Sequence, residues 1–131
     1  MDTDPANCVF CHAEDRELFG NSLAFATRDG MPATKGHTLV IPRRHCLDFF
    51  SLSPEEATAM FELICRVRKD LDRQDPPPDG YNVGVNVGVA GGQGVAHIHV
   101  HIIPRYHGDV PNPRGGIRNI VRCDLPMHNH A

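Results

Sequence analysis

The sequence has no basic excess, no long apolar run, no even set of cysteines and no carboxylate in its most patterned region. Each absence excludes something. Thirteen Lys and Arg against sixteen Asp and Glu give a net charge of −3, which argues against a general nucleic-acid binder and so against a stable nucleic-acid partner. A small anionic ligand needs only a local positive field and stays open. No apolar stretch approaches the roughly 20 residues that cross a bilayer, so no membrane partner is expected. The opening Met1-Asp2-Thr3-Asp4-Pro5 is acidic and polar, so no export signal is expected either. Five cysteines (Cys8, Cys11, Cys46, Cys65, Cys123) are an odd number with one close pair. That pattern excludes a simple disulfide framework and fits a reduced, cytoplasmic setting. The 131 residues, 40% hydrophobic and 22% charged, suit one domain with a real core.

What is present centres on Val95 to Arg105, where His97, His99 and His101 alternate with Ile98, Val100 and Ile102 before Pro104. Period two with branched residues predicts a half-buried strand, its histidines on one face and its aliphatics on the other. Histidines spaced this way stand roughly 6.5 Å apart. A solvated strand face more often carries Thr, Lys or Glu. Three imidazoles in register therefore suggest a nucleophile, a proton carrier or a metal ligand working near neutral pH.

The rest of the chain supplies a frame. Ser22–Ala26 and Gly36–Pro42 read as an antiparallel strand pair joined by a loop through Asp29-Gly30. A helix is predicted from about Pro54 to Asp72, with Ser53 as N-cap and Glu56 completing a capping box. Its apolar stripe is Ala57, Met60, Phe61, Ile64, Val67 or Arg68, and Leu71. Tyr81–Val89 reads as a third strand with Asn82, Gly84, Asn86 and Gly88 on one face, leaving room either for a ligand or for another backbone. The glycines of Ala90–Gly94 allow backbone N–H groups to converge on an anion, but they lack the strand–GxxxxGK–helix setting of a phosphate loop. Arg43-Arg44-His45 reads as a solvated basic cluster or part of a site, and Tyr106–Ala131 as an irregular tail or an added strand over the domain. Cys8-Val9-Phe10-Cys11 can be a redox pair, half of a zinc site or incidental. Cys65 and Cys123 read as buried thiols, and His128 and His130 as idle.

The run His97-Ile98-His99-Val100-His101-Ile102-Ile103 resembles the histidine triad (HIT) family signature. Gly36–Pro42, the Asn86 strand, Gly92-Gln93 and Ile103-Pro104-Arg105-Tyr106 fall in that family's order and spacing. The likeness spans roughly Cys8 to Gly116, so the chain reads as one domain, residues 1–131, with its core over about 8–116. It implies an α+β HIT-like fold: a mainly antiparallel sheet, one long helix and shorter helical pieces, commonly as a homodimer. It also implies nucleotidyl transfer to water, with a purine nucleotide or nucleotide conjugate as ligand and no organic cofactor. By that resemblance His99 is the nucleophile, His101 bonds the phosphoryl oxygens, and His37 is the additional histidine near them. Asn86 and Gln93 match amide donors, the backbone through Gly94 and Val95 helps neutralise charge, and Asp29 matches the acceptor for ribose hydroxyls. One departure stands out: Gly94 occupies a position where several branches carry a hydroxyl, so the source of the leaving-group proton stays open between His101 and His37.

Cys8, Cys11, His45 and His97 offer two thiolates and two imidazoles, a donor set suited to tetrahedral zinc. Some HIT proteins and the related galactose-1-phosphate uridylyltransferases carry such a structural site, leaving the middle histidine free. Two other readings compete. One is a catalytic metal held by the triad itself, which the lack of carboxylates between Tyr81 and Arg105 disfavours. The other is a nucleotide-binding module with little turnover, which Gly94 favours.

Overall fold

Apolar runs punctuated by proline and glycine build the sheet, and one capped amphipathic helix covers it. The computed structural model describes residues 1–121. Its strands are β1 (Phe19–Gly20), β2 (Ala24–Arg28), β3 (Thr38–Pro42), β4 (Gly80–Val85) and β5 (Val100–Arg105), and its helix is α1 (Pro54–Leu71). They form one antiparallel sheet in the order β1-β2-β3-β5-β4. Short 3-10 turns, including Phe49–Ser51, Val89–Gly91 and Gly116–Ile120, link and flank them. The predicted α+β fold with one long helix is what the chain adopts.

The sheet has two different faces. On one, Ala24, Ala26, Val40, Val100 and Ile102 pack against Met60, Leu63, Val67 and Leu71 of α1. On the other, Phe25, Leu39 and Ile41 pack with Ala13 and Phe10 of the N-terminal segment. Every residue of β3 is buried, so its run of Leu39, Val40 and Ile41 needs no polar alternation: both faces are covered.

α1 begins as its sequence demands. Ser53 Oγ accepts from the Glu56 N–H at 3.0 Å, and Glu56 Oε1 accepts from the Ser53 N–H at 2.9 Å. Arg44 grips the same carboxylate with Nε and Nη2 at 3.0 and 2.9 Å, and these bonds hold the Glu56 carboxyl down at about 2. Arg44 is therefore an anchor between the β3 end and the helix, and Arg43 pairs likewise with Glu17.

Several sequence expectations need correcting. The strand expected at Ser22–Ala26 is β2, Ala24–Arg28, two residues later, because Thr27 and Arg28 still pair with Leu39 and Thr38. The strand expected to reach Val89 stops at Val85, and the histidine strand begins only at Val100. The reason is shared: residues 97–99 leave the sheet, so β4 has no partner beyond the Val85–Val100 pair. The helix stripe is turned as well. Glu56, Ala59, Met60, Leu63, Val67 and Leu71 are buried, whereas Phe61 is 64% exposed. Cys65 is exposed rather than buried. Cys123, His128 and His130 lie outside the described residues.

The misplaced Phe61 has a counterpart. Among the described residues β4 pairs only with β5, leaving its other edge open. Beside that edge Phe49, Leu52, Phe61, Ile64 and Val85 line an apolar groove of about 300 Å³.

Candidate active site

His97 and His99 are carried by the irregular stretch entering β5, and His101 by β5 itself. Alternation nevertheless persists through the whole run. Val100 and Ile102 enter the α1-side core, while His99 and His101 face the opposite side, their ring centroids 5.0 Å apart. The chain bends before Val100 because the Ile98 N–H donates to the Cys46 carbonyl at 2.7 Å and His97 Nε2–H donates to the Pro42 carbonyl at 2.7 Å.

Hydrogen bonding fixes the tautomer of each imidazole, because a carbonyl can only accept and a backbone N–H can only donate. His99 Nδ1 lies 2.9 Å from the His97 carbonyl oxygen, so Nδ1 carries the proton and Nε2 keeps its lone pair. The Ala33 N–H donates to His37 Nδ1 at 2.9 Å, which puts the His37 proton on Nε2. His37 Nε2 is 2.9 Å from His101 Nδ1 and 3.3 Å from Asp29 Oδ2. It donates to that pair, so His101 bears its proton on Nε2. His101 Nε2 is buried and has no hydrogen-bond partner among the described residues. An unsatisfied buried donor of this kind costs stability unless a ligand uses it.

Burial is the chief reason that His37 and His101 are held below the ordinary histidine value of 6.5, and it outweighs the pull of the Asp29 carboxylate on both. Both rings are neutral at pH 7. Protonating His37 Nδ1 would break its bond from Ala33, and protonating His101 Nδ1 would break its bond from His37. An activity resting on this arrangement should have a level kcat/KM near and above neutrality and fall as pH drops below 6.5. A pH profile showing activity rising steadily into acid would contradict it. The stability these neutral rings contribute runs the same way, present above 6.5 and lost as pH falls.

Of the other predicted residues, Asn86 and Asp29 lie beside these rings, whereas Gln93, Gly94 and Val95 line a different pocket. Asn86 lines the same pocket as His37 and His101. Gln93 is buried: its Nε2 donates to the Leu47 and Val95 carbonyls at 3.1 and 3.0 Å, and its Oε1 accepts from the Gly88 N–H at 3.0 Å. Its amide is spent bracing the loop that holds Gly94 and Val95. Asp29 Oδ1 accepts from the Met31 N–H at 2.8 Å while Oδ2 faces His37. No pattern in the chain singles out Phe10, whose ring packs edge-on to His99 with centroids 4.9 Å apart.

Behind the triad the four expected ligands converge. One donor atom from each of Cys8, Cys11, His45 and His97 lies within 4.8 Å of all the others. Cys8 Sγ is 3.4 Å from His97 Nδ1, and Cys11 Sγ is 3.2 Å from His45 Nδ1 and 3.5 Å from His97 Nδ1. Tetrahedral zinc, with sulfur at about 2.3 Å and nitrogen at about 2.0 Å, sets those donors about 3.5 Å apart. The outer nitrogens agree: His97 Nε2–H donates to Pro42 and His45 Nε2–H to the Thr3 carbonyl, so both Nδ1 lone pairs face inward. Burial and the neighbouring Cys8 push the Cys11 thiol up to about 11. Two sulfurs and two inward ring lone pairs at these distances make a four-donor set. The residues present fit zinc.

The model of the HIT domain matches residues 12–108. The chain belongs to the HIT family. A Schizosaccharomyces pombe HIT relative, adenosine 5'-monophosphoramidase hnt1, is 34% identical over 116 residues, covering 85% of this chain and 80% of its own. A HIT family protein from Bacillus anthracis superposes with a TM-score of 0.72 at 36% identity, covering 78% of this chain and 75% of that one. A zinc-bound histidine triad family protein from Mycobacterium smegmatis superposes with a TM-score of 0.73 at 32% identity, covering 81% and 80%. The HIT model begins after the Cys8–Cys11 pair, so the case for the metal ligands rests on their geometry and on the zinc-bound relative.

Proposed function

We propose that this HIT protein is a nucleotidyl hydrolase that cleaves nucleoside phosphoramidates or dinucleoside polyphosphates at the α-phosphorus through a covalent nucleotidyl-His99. The observation that carries this reading is the tautomer of His99. Its proton is committed to the His97 carbonyl, which leaves Nε2 as a neutral nucleophile facing away from the backbone. The buried, unpartnered Nε2–H of His101 supports a role in bonding a phosphoryl oxygen. His37 orients His101 from behind. The Asn86 amide and the backbone through Gly94 and Val95 are the further donors, with Gln93 holding that loop in place. Asp29 has lone pairs beyond those used by Met31 and His37, so it can also accept from ribose hydroxyls.

The reaction divides into two displacements. In the first, a bond forms between His99 Nε2 and phosphorus as the bond to the leaving group breaks. The departing atom takes a proton from solvent: Gly94 has no hydroxyl to give, and the neutral His37 and His101 rings keep their single protons, the first for His101 and the second for a phosphoryl oxygen. In the second, a water oxygen bonds to phosphorus, the Nε2–phosphorus bond breaks, and the water's proton returns to solvent. The test is the intact mass of protein rapidly denatured at alkaline pH during turnover of an adenosine phosphoramidate. The expected result is one adenylyl group on the peptide containing His99. Product formation with no retained adenylate at any time would refute the mechanism.

Structural zinc belongs to the same proposal. It would be held by Cys8, Cys11, His45 and His97, and its contribution there is to fix those four side chains.

The homodimer is proposed from the open β4 edge and the apolar groove beside it. A second copy laying its β4 antiparallel along this edge would cover Val83 and Phe61, now 43% and 64% exposed. Each copy weighs 14.5 kDa. The wild type should sediment at twice that mass, and the double variant V83D/F61D at the monomer mass. A wild type that is monomeric at micromolar concentration would remove the dimer.

A further inference from the structure

The turn Cys8-Val9-Phe10-Cys11 carries one sulfur toward solvent and an aromatic ring toward the nucleophile. Cys8 Sγ and Cys11 Sγ lie 3.4 and 3.5 Å from the same atom, His97 Nδ1. Cys8 is 7% exposed, whereas Cys11 is half-buried and reaches solvent beside the half-buried His45.

Among the described residues these two sulfurs are placed for each other. Cys46 is buried, its thiol donating to the Asp48 carbonyl at 3.2 Å. Cys65 stands exposed on α1, outside the four-donor cluster. Only Val9 and Phe10 separate Cys8 from Cys11, and their sulfurs lie within 4.8 Å of one another. A disulfide needs about 2.05 Å between sulfurs, and side-chain rotation at the two ends of one turn supplies the approach. Both sulfurs are deprotonated when they hold zinc, and the thiolate is the form that attacks an oxidant.

The same turn supports His99. Phe10 packs edge-on to His99 at 4.9 Å and to His97 at 6.0 Å, and it joins Phe25, Leu39 and Ile41 in the core on that side of the sheet. The bond from His45 Nε2–H to the Thr3 carbonyl ties the N-terminal segment to the same cluster. A change in how the two sulfurs are bonded therefore reaches His99 through a single side chain.

We propose that Cys8 and Cys11 form a site of reversible oxidation by hydroperoxides, whose closure into a disulfide releases zinc and slows turnover. The inference rests on the zinc site proposed above. The Cys11 sulfur attacks one peroxide oxygen and the O–O bond breaks. A sulfenic acid forms, and the other oxygen leaves as hydroxide, which takes a proton from solvent to become water. The Cys8 sulfur then attacks the Cys11 sulfur and the S–O bond breaks. The hydroxide released takes a proton and becomes a second water. The sulfur pair has lost two electrons and the peroxide has gained them. Two imidazoles remain as ligands, too few for tetrahedral zinc. A dithiol reverses the step by thiol–disulfide exchange.

The experiment treats zinc-loaded wild-type protein with a small excess of hydrogen peroxide. Peptide mass mapping, zinc released to a chromogenic chelator and turnover of adenosine 5'-phosphoramidate are followed together. A Cys8–Cys11 disulfide should form, one zinc per chain should be released with it, and turnover should fall about tenfold. Dithiothreitol and zinc should reverse all three changes. C65S should respond as the wild type does. In F10A the disulfide should still form and zinc still leave, but a turnover already lowered should fall no further. Zinc retained under peroxide, or oxidation confined to Cys46 or Cys65, would overturn the proposal while leaving structural zinc and nucleotidyl transfer standing. A fall in F10A as large as in the wild type would overturn the link to His99. A protein that holds no zinc before peroxide is added fails the zinc reading itself, and the oxidation site falls with it.

Discussion

His99→Ala is expected to lower turnover by about four orders of magnitude or more while adenosine monophosphate still binds with near wild-type affinity. The two effects separate because His99 contributes a lone pair, whereas other groups hold the phosphate. His101 Nε2–H, the Asn86 amide and the loop braced by Gln93 remain in the variant. Removing the ring leaves a gap beside Phe10, which packs on His99 at 4.9 Å, but among the described residues it breaks only one side-chain hydrogen bond, to the His97 carbonyl. Folding should therefore survive. Rapid-quench kinetics together with equilibrium binding give both numbers. A His99→Ala protein that turns over at a tenth of the wild-type rate would reassign the nucleophile, and one that loses nucleotide binding as well as turnover would make His99 a binding residue.

The second large effect concerns the four metal ligands. Wild-type protein is expected to hold one zinc per chain, and either Cys11→Ser or His45→Ala should abolish it. The stability lost should be about 3 kcal/mol or more, because a metal bound only by the folded state adds its binding energy to folding. The corresponding fall in Tm is roughly 10 °C. Turnover should decline too, by about tenfold, although none of the ligands touches substrate. Phe10 is carried between Cys8 and Cys11 and packs on His99, and the His97 carbonyl sets the His99 tautomer. Metal analysis, thermal melts and kcat on the same preparations decide the matter. Unchanged zinc content in His45→Ala would remove that ligand. A stoichiometric zinc whose loss leaves Tm unmoved would remove its structural role.

Much of this was legible in the chain. The alternation from His97 to Ile102 announced two faces, and the fold uses both: aliphatics against α1, His99 and His101 on the other side. Ser53, Pro54 and Glu56 announced the helix start, which is governed by bonds between residues three apart. The donor set Cys8, Cys11, His45 and His97 was readable as chemistry before it was known as geometry. Less was legible where the answer depended on a partner distant in sequence. Strand ends at Val85 and Val100 follow from one another and from Pro42 and Cys46. The phase of the helix stripe depended on which side of α1 met the sheet, and that put Leu63 inside and Phe61 out. Gln93 looked like a donor for a ligand, yet the carbonyls of Leu47 and Val95 claim its amide.

By itself the sequence determined the family, the fold class and which imidazoles, thiols and amides are on offer, because periodicity, caps and side-chain chemistry are properties of neighbouring residues. Tertiary structure alone decided which nitrogen of each histidine carries the proton, what stands behind the triad and what lies over Gly84. Those depend on carbonyls and rings brought together from segments as far apart as His37 and His101, Pro42 and His97, and Gly84 and Ile117. A tautomer is chosen by what the ring touches, and that contact exists only after the chain has folded.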